Sequence, residues 1–222
     1  MTEKELGDAL RRALMVFDGA MGTEIYRRHV FTNRCYDELC LSEPGMIADI
    51  HRSYVAAGAD VLTTNSFGAN RLSLSAFGLG ERVAAVNLAA ARLAREAADQ
   101  AGRRLLVAGS LGPLNTLGNT SAERIQCLSE QAAALVAGGV DFLMFETLPS
   151  PEAAQEARVR TDVAAVAEHA DVPVAGLEGV ADGAQPQRTA GHRLFGPGAG
   201  QAVAQAGGDH HPARLPAAAA GV

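Results

Sequence analysis

Positive charge is in short supply in this 222-residue sequence: 19 Lys and Arg stand against 25 Asp and Glu, for a formal net charge of −6. The basic residues are scattered and form no stripe, which excludes the electrostatic footprint of a nucleic-acid-binding protein. Long apolar runs are missing too, and none reaches the length of a membrane span. The opening stretch "MTEKELGDALRR" is amphipathic and punctuated by acids, unlike a signal peptide. Cysteine is sparse. An odd set of three (Cys35, Cys40 and Cys127), with no export signal, reads as reduced thiols in a cytoplasmic protein. No His cluster or second Cys pair stands at zinc spacing near them, so the residues themselves define no metal site. Asp209-His210-His211 is consecutive and sits in low-complexity surroundings, a poor geometry for a single metal.

What is present reads as a globular chain, with 48% hydrophobic and 20% charged residues. Apolar runs of strand length alternate with helical patterns. "ALMVF" (13–17) comes first, then a helix at 44–58 with Pro44 near its start and Gly58 beyond its end. "DVLTTNSF" (60–67), a helix at 81–102, "RLLVAGSLG" (104–112), a helix at 121–139 and "VDFLMFET" (140–147) follow. A helix from Pro151 and a weaker strand at 172–179 complete the series. The strands are continuous apolar runs, as expected when both faces are buried. Repeated βα units imply a parallel sheet with right-handed crossovers, compatible with a doubly wound sheet or a β/α barrel. Four successive strand ends carry small polar groups: Asp18-Gly19, Thr63-Thr64-Asn65, Ser110-Leu111-Gly112 and Glu146-Thr147. Ligands sit beyond such ends, and four of them contributing to one rim favours the barrel.

Beyond residue 180 the composition changes. Of the 42 residues from 181 to 222, 12 are Ala, 8 Gly and 4 Pro. Such a segment buries too little to offset its ordering entropy, so the reading is a folded part at 1–180 and an irregular or disordered tail at 181–222. With four to five βα units where a barrel has eight, the expected fold is an α/β, (β/α)8 TIM-barrel type that is incomplete.

Among candidate site residues, Asp18 precedes a glycine-rich turn in which Gly19 gives backbone room and Gly22 has access to positive φ. Thr64 and Asn65 offer a hydroxyl and an amide after the second strand. Glu146 ends a largely apolar strand, a place where a carboxylate has a partner such as a ligand ammonium or an arginine.

Taken in order, "DGAMGTE", "CYDELCLSEPGMIADIHRSYVAAGADVLTTNSFGANRLSL", "NLAAARLAREAA", "GSLGP" and "FETLP" resemble the homocysteine S-methyltransferase family over about residues 12–157. The resemblance implies a β/α barrel that transfers a methyl group to the sulfur of homocysteine. The partners it implies are homocysteine and a methyl donor of the methyltetrahydrofolate or S-methylmethionine type. It further implies Zn²⁺ held by three cysteines, which keeps the substrate sulfur as thiolate. Carried over, Asp18 and Glu146 hold the amino-acid end of homocysteine, Gly19 leaves room, and Thr64 and Asn65 line the rim. The family's zinc cysteines stand in Gly-x-Asn-Cys and Gly-Gly-Cys-Cys-Gly settings. This sequence has no cysteine after Cys127, so the resemblance supplies the cofactor but no ligands for it. A reading-frame change near residues 155–165, a truncation or genuine divergence accounts for both the altered tail and the missing cysteines. The expectation is a homocysteine S-methyltransferase domain inactive as this chain, the alternative a non-catalytic remnant that binds an amino acid or a partner protein. An exposed sheet edge left by an incomplete barrel predicts self-association.

Overall fold

The computed structural model describes residues 2–12, 14–31, 33–114, 120–148, 172–178 and 193–195. In chain order the elements are α1 (Glu3–Arg12), α2 (Met21–Arg27), α3 (Leu39–Ser42), α4 (Pro44–Ala56), β1 (Val61–Thr63), α5 (Arg71–Ser75), a 3₁₀ turn (Gly80–Arg82), α6 (Val83–Asp99), β2 (Leu106–Leu111), α7 (Ser121–Ala137), β3 (Phe142–Leu148), β4 (Val174–Glu178) and β5 (Arg193–Phe195). Local chemistry sets the boundaries. Pro44 opens α4, where its missing N–H costs nothing. Thr120 and Glu123 form a reciprocal capping box at the start of α7. Gly58 at φ 97° and Gly139 at φ 93° turn the chain after α4 and α7.

The sheet order is β1-β2-β3-β4-β5, parallel from β1 to β4, with β5 antiparallel to β4. Leu62, Val107, Leu111, Leu143 and Phe145 point to one face. There they meet Ala91, Ala94 and Ala98 of α6 and Leu128, Ala132 and Leu135 of α7, with Tyr54 and Val55 of α4 alongside. Phe17, Val61, Leu106, Ala108, Phe142 and Met144 point to the other face, which is covered by Leu6 and Leu10 of α1. Among the described residues, the crossover helices α6 and α7, with α4 before β1, therefore lie on one side of strands laid down in sequential order. The described elements thus form an α/β fold with a small, mainly parallel sheet, without the crossover helices on both faces that a doubly wound sheet carries.

Three expectations change. The described part of the stretch 13–17, residues 14–17, forms no full strand: its contact with β1 is a single parallel bridge, Phe17 to Val61, with backbone bonds from Asp18 N to Val61 O (3.0 Å) and from Asp60 N to Val16 O (2.7 Å). Its pairing is confined to this short edge contact. Second, the described five-stranded sheet, in line with the expected incompleteness, is not parallel throughout. Its fifth strand runs antiparallel, whereas the strands of a β/α barrel all run parallel. Third, Gly22 lies inside α2 and has no positive φ. The helix expected from Pro151 lies outside the described residues. So does the segment 181–222, apart from Arg193–Phe195.

Helix α7 ends against α6 at Gly138, where an added Cβ would lie 2.3 Å from the Ala91 Cβ and 3.2 Å from the Leu88 carbonyl oxygen. Substitution of Gly138 by Ala is expected to lower unfolding stability by about 1–3 kcal/mol through overpacking. At Gly45, in the first turn of α4, an added Cβ meets nothing within 4 Å, and Ala there is expected to be neutral or to stabilise by up to ~1 kcal/mol. Urea unfolding of the two variants checks both signs.

Candidate functional site

The alternation of a strand decides which polar side chains meet. On β3, Phe142 and Met144 face away from the crossover helices, and Glu146 continues that row. On β2, Leu106 and Ala108 face the same way, followed by Ser110, whose register partner is Met144. Ser110 Oγ donates to Glu146 Oε1 at 2.5 Å. Across β1, the Thr63 N–H donates to Asp18 Oδ2 at 2.8 Å. The structure thus brings Asp18, Thr63, Ser110 and Glu146 to the carboxyl ends of adjacent strands.

Asp18 is pushed up to about 7, chiefly by burial and further by the negative charge of Glu146, against the lowering effect of its bonds to Thr63. The register of β3 against β4 shifts between Phe145 and Leu148, and Thr147 sits at φ 57°. A β-branched residue in the left-handed region is strained, and a bulge re-aims the side chains around it. Both irregularities fall beside Glu146.

The other residues expected at this site make contacts within the protein. Thr64 Oγ1 accepts from the Ser110 N–H (2.9 Å) and shares a hydrogen bond with Ser66 Oγ (2.7 Å). Asn65 Nδ2 donates to the Tyr36 carbonyl (2.7 Å) and to Cys40 Sγ (3.5 Å), tying the 36–40 segment to the loop after β1. Gly19 makes room for a protein side chain: an added Cβ would lie 2.8 Å from Tyr54 Oη, which donates to the Ala20 carbonyl. Thr63 and Ser110 are the residues that sequence reasoning left out of the site. Counting by two from Val61 and Leu106, which lie on the same face, is the signal that finds them.

The cysteines do not fit zinc. Cys35, Cys40 and Cys127 are buried, and burial pushes all three thiols up, Cys40 to about 12, opposite to what a thiolate ligand needs. Cys40 Sγ is engaged with the Asn65 carbonyl and Cys35 Sγ with Asp37. No group of three His, Cys, Asp or Glu gathers as a metal site among the described residues.

Chemically, two carboxyl groups at neighbouring strand ends, close enough for the charge of Glu146 to raise the proton affinity of Asp18, suit a ligand cation with several N–H donors. The carboxyl ends of parallel strands, where this acid pair lies, are where ligands bind in α/β folds of this kind. Comparison with known proteins gives the family. The model of the homocysteine S-methyltransferase family matches residues 15–188, and the chain belongs to that family. It is 34% identical over 158 residues to a methionine synthase of Mycobacterium tuberculosis, a match covering 65% of this chain and 13% of that much longer protein. Among solved structures it is similar to the homocysteine methyltransferase MmuM from Escherichia coli. With the metallated form the TM-score is 0.59 at 27% identity, covering 75% of each chain. With the oxidized form it is 0.58 at 30% identity, covering 68% of this chain and 60% of that one.

The raised proton affinity of Asp18 carries a pH signature. A carboxyl whose folded pKa lies above its unfolded value of 3.8 contributes stability at low pH, and that contribution is lost as pH rises through about 7. Asp18→Asn keeps the acceptor for Thr63 and removes the titration. It is expected to flatten stability between pH 4 and 7 and to exceed wild type at pH 8 by up to about 4 kcal/mol, at ~1.4 kcal/mol per unit. Buried His51, held down at about 4, contributes with the opposite sign in both proteins. The wild-type minus variant difference, from urea titrations across that range, therefore isolates Asp18.

Proposed function

We propose that this chain is the amino-acid-binding part of a homocysteine S-methyltransferase domain, with Asp18 and Glu146 receiving the ammonium of homocysteine. The observation that carries the reading is the acid pair itself, at the strand ends within the span that matches the family. Methyl transfer requires the substrate sulfur as nucleophile: an S–CH₃ bond forms as the donor's bond to that methyl breaks, and the thiol proton leaves. The buried, high-pKa cysteines supply no ligand set to hold that sulfur as thiolate, so the chain binds homocysteine without turning it over. Reduced thiols and the acidic charge balance support a cytoplasmic protein. No helix among the described residues is long and apolar enough to cross a membrane.

Calorimetric titration with L-homocysteine checks the site. Glu146→Gln is expected to weaken binding at least about tenfold, roughly 1.4 kcal/mol. Unchanged affinity in that variant would remove the acid pair from the site. Incubation with methyltetrahydrofolate or S-methylmethionine and added zinc is expected to yield no methionine. Chelator-sensitive methionine formation would instead establish a competent enzyme.

A second reading, a remnant that associates with another copy, rests on the edge at 14–17. Leu14 is 91% exposed and Val16 50% exposed beside the single bridge to β1. Sedimentation velocity is expected to show concentration-dependent association in the wild type and its loss in a Leu14→Lys, Val16→Lys double variant. A wild type monomeric at high concentration contradicts this reading.

A further inference from the structure

Ser110 is the most constrained polar residue near the acid pair. Its N–H donates to Thr64 Oγ1 at 2.9 Å, and its carbonyl accepts from Ser66 Oγ at 2.8 Å. Gln131 of α7 reaches the same place, donating to the Ser66 carbonyl at 2.6 Å and more distantly to the Ser110 carbonyl. All four of these side chains are buried, with Thr64 the most exposed at 3%. Immediately downstream, Gly112 N–H donates to the Phe67 carbonyl at 3.1 Å, and an added Cβ at Gly112 would lie 2.5 Å from that oxygen. The loop after β1 therefore lies directly on the end of β2 and fixes the Ser110 backbone from both sides. What remains of Ser110 is one hydroxyl proton, and it is directed at Glu146 Oε1.

We propose that Ser110 is a positioning residue for ligand binding: its hydroxyl, held by the Thr64–Ser66–Gln131 network, orients the Glu146 carboxylate toward the substrate's ammonium group. This deepens the proposed amino-acid site and rests on it. A carboxylate at a bulge beside a strained residue has several orientations open to it, and a donor on a fixed backbone selects one. The network explains why Thr64, Ser66 and Gln131 are buried polar groups in an otherwise apolar layer. Their contribution to binding passes through Ser110 to Glu146.

The test is a double-mutant cycle read on ligand discrimination, the ratio of affinities for L-homocysteine and for 4-mercaptobutyrate, which lacks the amino group. Ser110→Ala is expected to lower this ratio about tenfold, and Thr64→Val, which loosens the Ser110 backbone while leaving its hydroxyl, about two- to threefold. In the Glu146→Gln background, Ser110→Ala is expected to change the ratio less than twofold, because its target is gone. An unchanged ratio in Ser110→Ala, or an equal loss in both backgrounds, overturns the proposal, since a purely structural serine would act independently of Glu146. A wild-type ratio near one is a different failure: it removes the ammonium site itself, and Ser110's role with it. Thermal unfolding of each variant shows that the compared proteins are folded.

Discussion

Taking a carboxylate even partly out of water is costly, and this structure holds Asp18 and Glu146 half-buried at strand ends where the charge of Glu146 adds to the effect of burial on Asp18. That cost organises the surrounding polar chemistry. The Thr63 amide is committed to Asp18 and the Ser110 hydroxyl to Glu146. Behind Ser110, a buried set of hydroxyl and amide groups occupies space that apolar side chains would otherwise fill. The register shift and the left-handed Thr147 stand next to Glu146. Strain and buried polarity meet at one place, as they do where a fold is shaped around a ligand.

The winding of the sheet makes this possible. Sequential parallel strands with crossovers on a single side bury Leu62, Val107, Leu143 and Phe145 under α4, α6 and α7. Small residues bring those helices close, down to the contact of Gly138 with Ala91. The opposite face is left to Phe17, Val61, Leu106, Ala108, Phe142 and Met144, under α1. Along each strand this apolar row ends in the polar residues of the site. A single alternation therefore separates the packing side from the chemical side.

Much of this was legible in the sequence. Apart from the run at 13–17, the described apolar runs and the long periodic helices emerge within a few residues of their expected bounds, because Pro44, Gly58 and the residues around Thr120 are local signals that packing does not override. The short helices α2, α3 and α5, of seven, four and five residues, are too brief for a 3.6-residue period to register. The carboxylates stood out because charge at the end of an apolar strand needs a reason. Their neighbours were harder to identify. In "LTTN" the two threonines look equivalent, yet Thr63 continues the row of Val61 onto the acid face while Thr64 turns back to hold Ser110. Gly19 read as space for a ligand, and the ring that takes that space belongs to Tyr54, 35 positions further along the chain. Contacts across that separation leave no local pattern.

The account depends on Asp18 changing protonation when a cation arrives. With its pKa raised to about 7, Asp18 must ionise to pair with an ammonium group. The most direct measurement is titration calorimetry of L-homocysteine binding near pH 6.5, repeated in buffers of different ionisation enthalpy. The account predicts that the observed heat varies with the buffer in the sense of proton release, by up to about one proton per ligand, and that Asp18→Asn abolishes the variation. Binding whose heat is the same in every buffer would contradict it.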